Sequence, residues 1–290
     1  MKPYELKDRV VAITGSTGGL GQALTKALRD KGAKLALFDL NLDAVKAQAT
    51  ALGSSSDAHG WQADVRSLAS LEEGFAAAAK HFGAIDIAVA NAGIGVVGPL
   101  ATLDPDVMER HTDINLNGVW RTFRAALPHV QTRRGYLMAI SSMAAFVHNP
   151  LNAHYAATKA GVWALCDSLR LELRHQGVGV GSVHPTFFKT PMMDSVQADP
   201  AGFKIYNGNT GLWKYVAIDE VVAGIVNGIE RRKDTVVVPK SLTPIARMPG
   251  LFRGFIDIEE NAPRRRQQIL PGWRKRHPLR VPNEQGCAEQ

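Results

Sequence analysis

Short apolar runs of strand length alternate with longer amphipathic stretches through the first 239 positions of this 290-residue chain, which leaves few ways to fold. The strand-like runs are Arg9–Thr14, Lys34–Asp39, Gly60–Asp64, Ile85–Asn91, Tyr136–Ser141, Gly179–His184 and Thr235–Pro239. Between them the spacing predicts helices over Leu20–Lys31, Leu42–Leu52, Ser67–Phe82, Asp106–His129, Ala153–His175 and Asp219–Arg231. Uninterrupted stretches such as Val10–Ile13 and Ile85–Ala90 suit strands covered on both faces. Seven such strands with helical crossovers predict an α/β chain built on a single doubly wound parallel seven-stranded sheet in three layers, with a C-terminal extension.

Two stretches break the rhythm. Residues 186–216 form an insertion before the helix at Asp219–Arg231, long enough to be a lid over a site. Residues 240–290 follow the last strand and hold six prolines among scattered basic side chains. The expected division is therefore a catalytic domain over 1–239, with 186–216 as its lid, and a basic, partly flexible arm over 240–290. Net charge is +7, yet residues 1–230 carry 21 basic and 21 acidic side chains, so the whole excess lies in the final segment. A neutral body with a basic end argues against nucleic acid as the partner. The tail mixes apolar residues with Arg247 and Arg253 and could touch a membrane surface, but covering the lid or a partner subunit is the stronger expectation. Mean hydropathy is −0.10 and no apolar run approaches a membrane span. With only Cys166 and Cys287, and no apolar leader at the N-terminus, the expected setting is cytoplasmic.

After the first strand, Gly15, Thr17, Gly18, Gly19, Leu20 and Gly21 form a glycine-rich loop that opens the first helix. Glycines there let the backbone approach a pyrophosphate, which sits where helix-terminal amides favour negative charge. Asp39 ends the second strand 18 residues beyond Gly21, at the place where a carboxylate accepts bonds from the adenosine ribose and repels a 2′-phosphate. That combination gives a Rossmann-like reading and favours NAD over NADP. Asp64 and Val65, ending the third strand, could meet the adenine, with helix capping as the competing role for Asp64. Asn91, Ala92 and Gly93 follow the fourth strand, where small residues let the chain pass close to a cofactor.

Tyr155 and Lys159 stand four apart on a predicted helix and so share a face. A tyrosine is a poor base at neutral pH, and a neighbouring ammonium is expected to lower its pKa toward the working range. Ser142 follows the fifth strand and could hydrogen-bond a substrate oxygen, and Asn115, inside a long helical pattern, could hold a water that links Lys159 to solvent.

Taken together, Thr14–Gly21, Asp64, Asn91-Ala92-Gly93, Asn115, Ser142, Tyr155, Lys159 and Pro185…Thr190 resemble the short-chain dehydrogenase/reductase family, in its compact branch, over roughly residues 7–239. The resemblance implies an oxidoreductase in which Tyr155 exchanges a proton with an alcohol or ketone while a hydride passes to or from nicotinamide. Ser142 would orient the oxygen, Lys159 would bind the nicotinamide ribose, Asn115 would complete a proton relay, and Thr190 would hold the carboxamide. It also implies a homodimer or homotetramer. Two departures stand out: the usual Asn-Asn-Ala-Gly reads Ala90-Asn91-Ala92-Gly93, and the usual Pro-Gly reads Pro185-Thr186, which puts the loop path beside the nicotinamide in question.

Phe187, Phe188, Met192, Met193, Phe203, Tyr206 and Trp213 in the lid, with Phe146 and Val147 beyond Ser142, would suit a lipophilic small molecule such as a steroid-like or long-chain secondary alcohol. No cluster has metal-ligand spacing, so no metal is expected. The alternative readings are a catalytically silent dinucleotide sensor, whose mark would be a broken Ser-Tyr-Lys set, and a scaffold at a membrane surface.

Overall fold

The computed structural model describes residues 4–190, 193 and 214–252. Its strands are β1 (Val10–Thr14), β2 (Lys34–Asp39), β3 (Ala58–Gln62), β4 (Ile87–Ala90), β5 (Tyr136–Ile140), β6 (Gly179–Pro185) and β7 (Thr235–Val238). All pair in parallel, in the order β3-β2-β1-β4-β5-β6-β7. The chain winds outward from β1 to β3, then returns to lay β4 against the other side of β1. That reversal opens a crevice at the carboxyl ends of β1 and β4, the place where open parallel sheets bind ligands.

Alternation along the strands builds the two covering layers. Val11, Ile13, Leu35, Leu37, Ile87 and Val89 point to one face, beneath α1 (Gly19–Asp30), α2 (Leu42–Leu52) and α7 (Ile218–Glu230). Val10, Ala12, Ala36, Phe38, Ala88, Ala90 and Ala139 point to the other, beneath α3 (Leu68–Phe82), α5 (Gly118–Thr132) and α6 (Ala153–Leu173). The second face is rich in alanine, so helices can lie close to the sheet there. The short α4 (Pro105–His111) leads into α5, and α8 (Thr243–Arg247) follows β7.

Two elements differ from the sequence pattern. The third strand is Ala58–Gln62 and not Gly60–Asp64, because it is an edge strand whose position is set by pairing Leu35 with Ala58 and Asp39 with Gln62. Asp64 therefore lies beyond the strand. The predicted helix Asp106–His129 is α4 and α5 joined by a π-helical turn over Thr112–Asn117, an insertion that helical periodicity does not reveal.

The ends of the predicted lid are tied together: Phe188 pairs with Val216, and the Val216 amide donates to the Phe187 carbonyl. The lid residues Met192, Phe203, Tyr206 and Trp213 lie outside the described residues. Past β7, Ala246 is buried, and Leu242, Ile245 and Phe252 pack on Met143, Phe146 and Val147. Among the described residues no helix is long and apolar enough to cross a membrane.

A Cβ on Gly21, in the first turn of α1, would lie 2.5 Å from the carbonyl oxygens of Gly15 and Ser16. Gly21→Ala is expected to destabilise the fold by about 1–3 kcal/mol through overpacking, measured as a lower urea midpoint at unchanged m.

Candidate active site

The glycine-rich loop is shaped by close backbone approaches. Gly15 has φ +65°, and a Cβ there would sit 2.7 Å from the Ala92 Cα, so both conformation and space require glycine. Asn91 holds the ends of β1 and β4 together, its Nδ2 donating to the carbonyls of Thr14 (3.1 Å) and Gly15 (2.8 Å). The first turn of α1 carries no acidic side chain, and Gly18 at its N-cap offers no side-chain acceptor. Its terminal amides are thus left for an external anion.

Asp39 faces this loop. Its Oδ2 accepts from the Thr17 amide (3.0 Å) and hydroxyl (2.7 Å), and its Oδ1 accepts from the Leu40 amide (2.8 Å). The carboxylate thus fixes the loop that it borders. Gln48 on α2 braces the same loop from beneath, its Nε2 donating to the Ser16 carbonyl (2.8 Å) and the Thr25 hydroxyl (3.1 Å) and its Oε1 accepting from the Ser16 hydroxyl (2.9 Å). No motif marks Gln48, because a glutamine on an amphipathic helix reads as solvated surface.

Asp64 does not cap α3; Ser67 does, accepting from the Ser70 amide. Asp64 instead pairs with Arg66, whose Nη2 lies 2.7 Å from Oδ2, and this guanidinium holds the carboxyl below its usual range. Asp64, Val65 and Arg66 line the cleft beyond β3, opposite Asp39.

Tyr155 and Lys159 lie in the first two turns of α6, anchored to the end of β5. The Lys159 ammonium donates to the Ile140 carbonyl (2.9 Å), and the Ser141 hydroxyl donates to the Lys159 carbonyl (2.9 Å). Ser142 caps the 3₁₀ turn Met143–Ala145, its Oγ accepting from the Ala144 amide (3.1 Å). With that amide directed at the oxygen, the backbone does not claim the serine hydrogen, which is left to the Tyr155 side.

The electrostatics differ from the expected pairing. Burial pushes the Tyr155 phenol above its ordinary value, and its hydrogen bond with Ser142 pulls the other way. Burial lowers Lys159 to about 8. The ammonium stands 5.5 Å from the phenol ring centroid and is bonded to a backbone carbonyl, so here Lys159 does not bring the phenol below its usual range.

Asn115 is fully buried in the π-helical turn and clamps the chain after β4: its Oδ1 accepts from the Ile94 amide (2.8 Å) and its Nδ2 donates to the Ile94 carbonyl (2.9 Å). Nδ2 also lies 3.5 Å from the Thr158 hydroxyl, so the side-chain amide ties the chain after β4 to α6. A Cβ on Gly93 would lie 3.3 Å from Asn115 Oδ1 and 3.7 Å from Lys159 Nζ, so glycine lets these two groups approach the strand end.

One cavity of about 1090 Å³ spans these features. Each residue expected to bind a cofactor lines it, as does Ser142, while Asn115 stands behind Ile94. Thr186, the departure from Pro-Gly, is not among the positive-φ residues, and its amide donates to the Val238 carbonyl (2.8 Å), so the backbone there does not require glycine. Val96, Val147, Phe187 and Phe188 give the cavity an apolar wall near Tyr155, and Leu242 and Ile245 join it from beyond β7. His148 is exposed, whereas His154 donates from Nε2 to the Val96 carbonyl (2.8 Å). Among the described residues no cluster of three His, Cys, Asp or Glu could hold a metal.

Because burial lowers Lys159, the folded protein binds fewer protons than the unfolded chain between its value of about 8 and the ordinary 10.5. Stability contributed by this site therefore rises with pH across that window. Urea unfolding of wild type and Lys159→Met is expected to show the difference moving in favour of wild type by about 2 kcal/mol between pH 8 and pH 10.

The sequence profile of the short chain dehydrogenase family matches residues 9–201. Oxidoreductase UcpA of Escherichia coli K12 is 32% identical over 200 residues, covering 68% of this chain and 76% of that protein. Dehydrogenase/reductase SDR family member 7B of Mus musculus is 30% identical over 259 residues, 85% of this chain and 80% of its own. Among solved structures, gox2181 superposes with a TM-score of 0.74 at 25% identity, over 81% of this chain and 95% of that one. A short chain dehydrogenase/reductase from Burkholderia phymatum, in complex with NAD, gives 0.76 at 22% identity, over 89% and 97%.

Proposed function

The chain belongs to the short-chain dehydrogenase family, and on that premise we propose that this oxidoreductase exchanges a hydride between NAD(H) and a lipophilic secondary alcohol or its ketone. The observation that carries the reading is that Ser142, Tyr155 and Lys159 line the same cavity as the glycine-rich loop and Asp39. A nicotinamide dinucleotide fits what is present: uncapped amides open α1, no acid repels a phosphate in its first turn, and Gly15 and Gly93 keep the strand ends clear of Cβ atoms. When bound, its nicotinamide supplies the hydride acceptor or donor.

The rest is done by side chains of this chain. The α1 terminus and loop would hold the pyrophosphate. Asp39 would take the ribose hydroxyls with the lone pairs left beside its bonds to Thr17 and Leu40, and its charge opposes a 2′-phosphate. Tyr155 would give a proton to the ketone oxygen in reduction and take it from the alcohol in oxidation. Ser142 would donate its hydroxyl hydrogen to the same oxygen. Lys159 would keep its ammonium beside the Tyr155 ring, where its charge favours the phenolate that forms as the proton leaves. Asn115 would keep Ile94 and the strand end in place, so that any relay through it uses backbone groups of the π-helical turn.

The apolar wall from Val96, Val147, Phe187 and Ile245 supports a lipophilic substrate. A homo-oligomer belongs to the same proposal, and the exposed Trp120 on α5 and Leu171 on α6 are apolar side chains that a second copy could cover. A silent dinucleotide sensor would have no need of the intact Ser142, Tyr155 and Lys159 set.

The test is absorbance at the reduced-nicotinamide band across steroid, fatty and sugar alcohols and their ketones. Turnover is expected with the apolar secondary alcohols and with NAD in preference to NADP. Asp39→Ser should narrow that cofactor preference by about 10-fold or more, as removal of one charge-mediated discrimination implies. Turnover confined to sugar alcohols, or equal use of both dinucleotides by wild type, would contradict the reading.

A further inference from the structure

His184 sits near the end of β6, fully buried, in a strand whose other inward residues are apolar or small. Its ring is held on both sides. Nδ1 lies 3.2 Å from the Ser142 carbonyl and Nε2 lies 2.8 Å from the Ser182 hydroxyl, itself fully buried. The ring of Phe146 packs against it at 4.7 Å between centroids.

These two bonds fix the proton. A carbonyl can only accept, so Nδ1 must carry the hydrogen. Burial drives the imidazole to about 4, so it is neutral at ordinary pH and Nε2 is bare. The Ser182 hydroxyl must then be the donor to Nε2. One tautomer satisfies both ring nitrogens and the Ser182 hydroxyl, and its outcome is a hydrogen bond from Nδ1 into the backbone of Ser142.

Ser142 is thereby held at two points: its carbonyl by His184 Nδ1–H and its Oγ by the Ala144 amide. Together these set the serine where the chain leaves β5, with its own hydroxyl hydrogen uncommitted to backbone. We propose that His184, locked by Ser182, is a positioning residue that aims the Ser142 hydroxyl into the reaction cavity. It does not line the cavity and acts through Ser142 alone. The inference rests on the oxidoreductase reading above for its effect on turnover, though the tautomer does not depend on that reading.

Three substitutions separate aiming from mere packing. Asparagine places an amide N–H near where Nδ1–H stands, glutamine places its amide near Nε2, and leucine supplies neither. His184→Leu and His184→Gln are expected to lower kcat about 10- to 100-fold, since a small misplacement of a reacting group has effects of that size. Cofactor Kd, read from quenching of tryptophan emission, should stay within about twofold. His184→Asn should restore most of kcat, and in a Ser142→Ala background His184→Gln should cost nothing further. The idea is overturned if His184→Gln leaves kcat unchanged, if His184→Asn falls as far as His184→Leu, or if the loss persists without the serine hydroxyl.

A second measurement is independent of turnover. Imidazole ¹⁵N NMR of the full-length wild type should show His184 as the neutral Nδ1–H tautomer, shifting toward an averaged pattern in Ser182→Ala. An Nε2–H tautomer would overturn the proposal. If wild type turned over none of the alcohols or ketones, the oxidoreductase reading would fail, and the NMR result would still decide the placement of Ser142.

Discussion

The site depends first on how α6 is fastened to the end of β5. Lys159 gives its ammonium to Ile140 and receives the Ser141 hydroxyl at its own carbonyl, two bonds that bridge 18 or 19 residues of chain. They place the start of the helix over the strand end and bring Tyr155 to Ser142, the next residue along. Alanines at the facing strand positions let α5 and α6 come close enough for these short bonds. A larger side chain at Ala139 would lift the helix and separate residues that must meet within a hydrogen-bond length.

The same burial that gives this geometry strains the ionisable groups. Leaving water raises Tyr155 and lowers Lys159, so burial favours the neutral form of each. A lysine near 8 keeps most of its charge at neutral pH, and it can also release its proton just above that range. The cost is stability, because a buried ammonium with a single backbone partner adds less to the fold than an apolar side chain would. Functional sites commonly carry such local costs, and here the surrounding alanine-lined core holds the groups in place.

Much of this was legible in the sequence for a physical reason. Strands buried on both faces read as unbroken apolar runs, and helices that cover them read as amphipathic, so β1, β2, α1 and α2 followed directly. The edge strand β3 did not, since its position is set by pairing with β2 and not by its own polarity. The glycine loop, Asp39, Ser142, Tyr155 and Lys159 carry fixed spacing and so could be named in advance. Asn115 was named from its pattern, but its bonds to Ile94 were not, because they depend on the π-helical turn around it and on the path of Ile94. Gln48 and His184 left no pattern, because each acts through contacts between segments distant in sequence. The one signal for His184 was an imidazole inside a strand that should exclude polar groups.

The central claim is that the Tyr155 phenol trades the proton of the reacting oxygen. It is tested most directly by Tyr155→Phe, which removes one oxygen and keeps the ring, with turnover and dinucleotide binding measured on the same preparation. The account predicts a fall in kcat of about 10²- to 10⁴-fold with dinucleotide affinity held within about twofold. A phenylalanine variant that keeps more than about a tenth of wild-type turnover would contradict it.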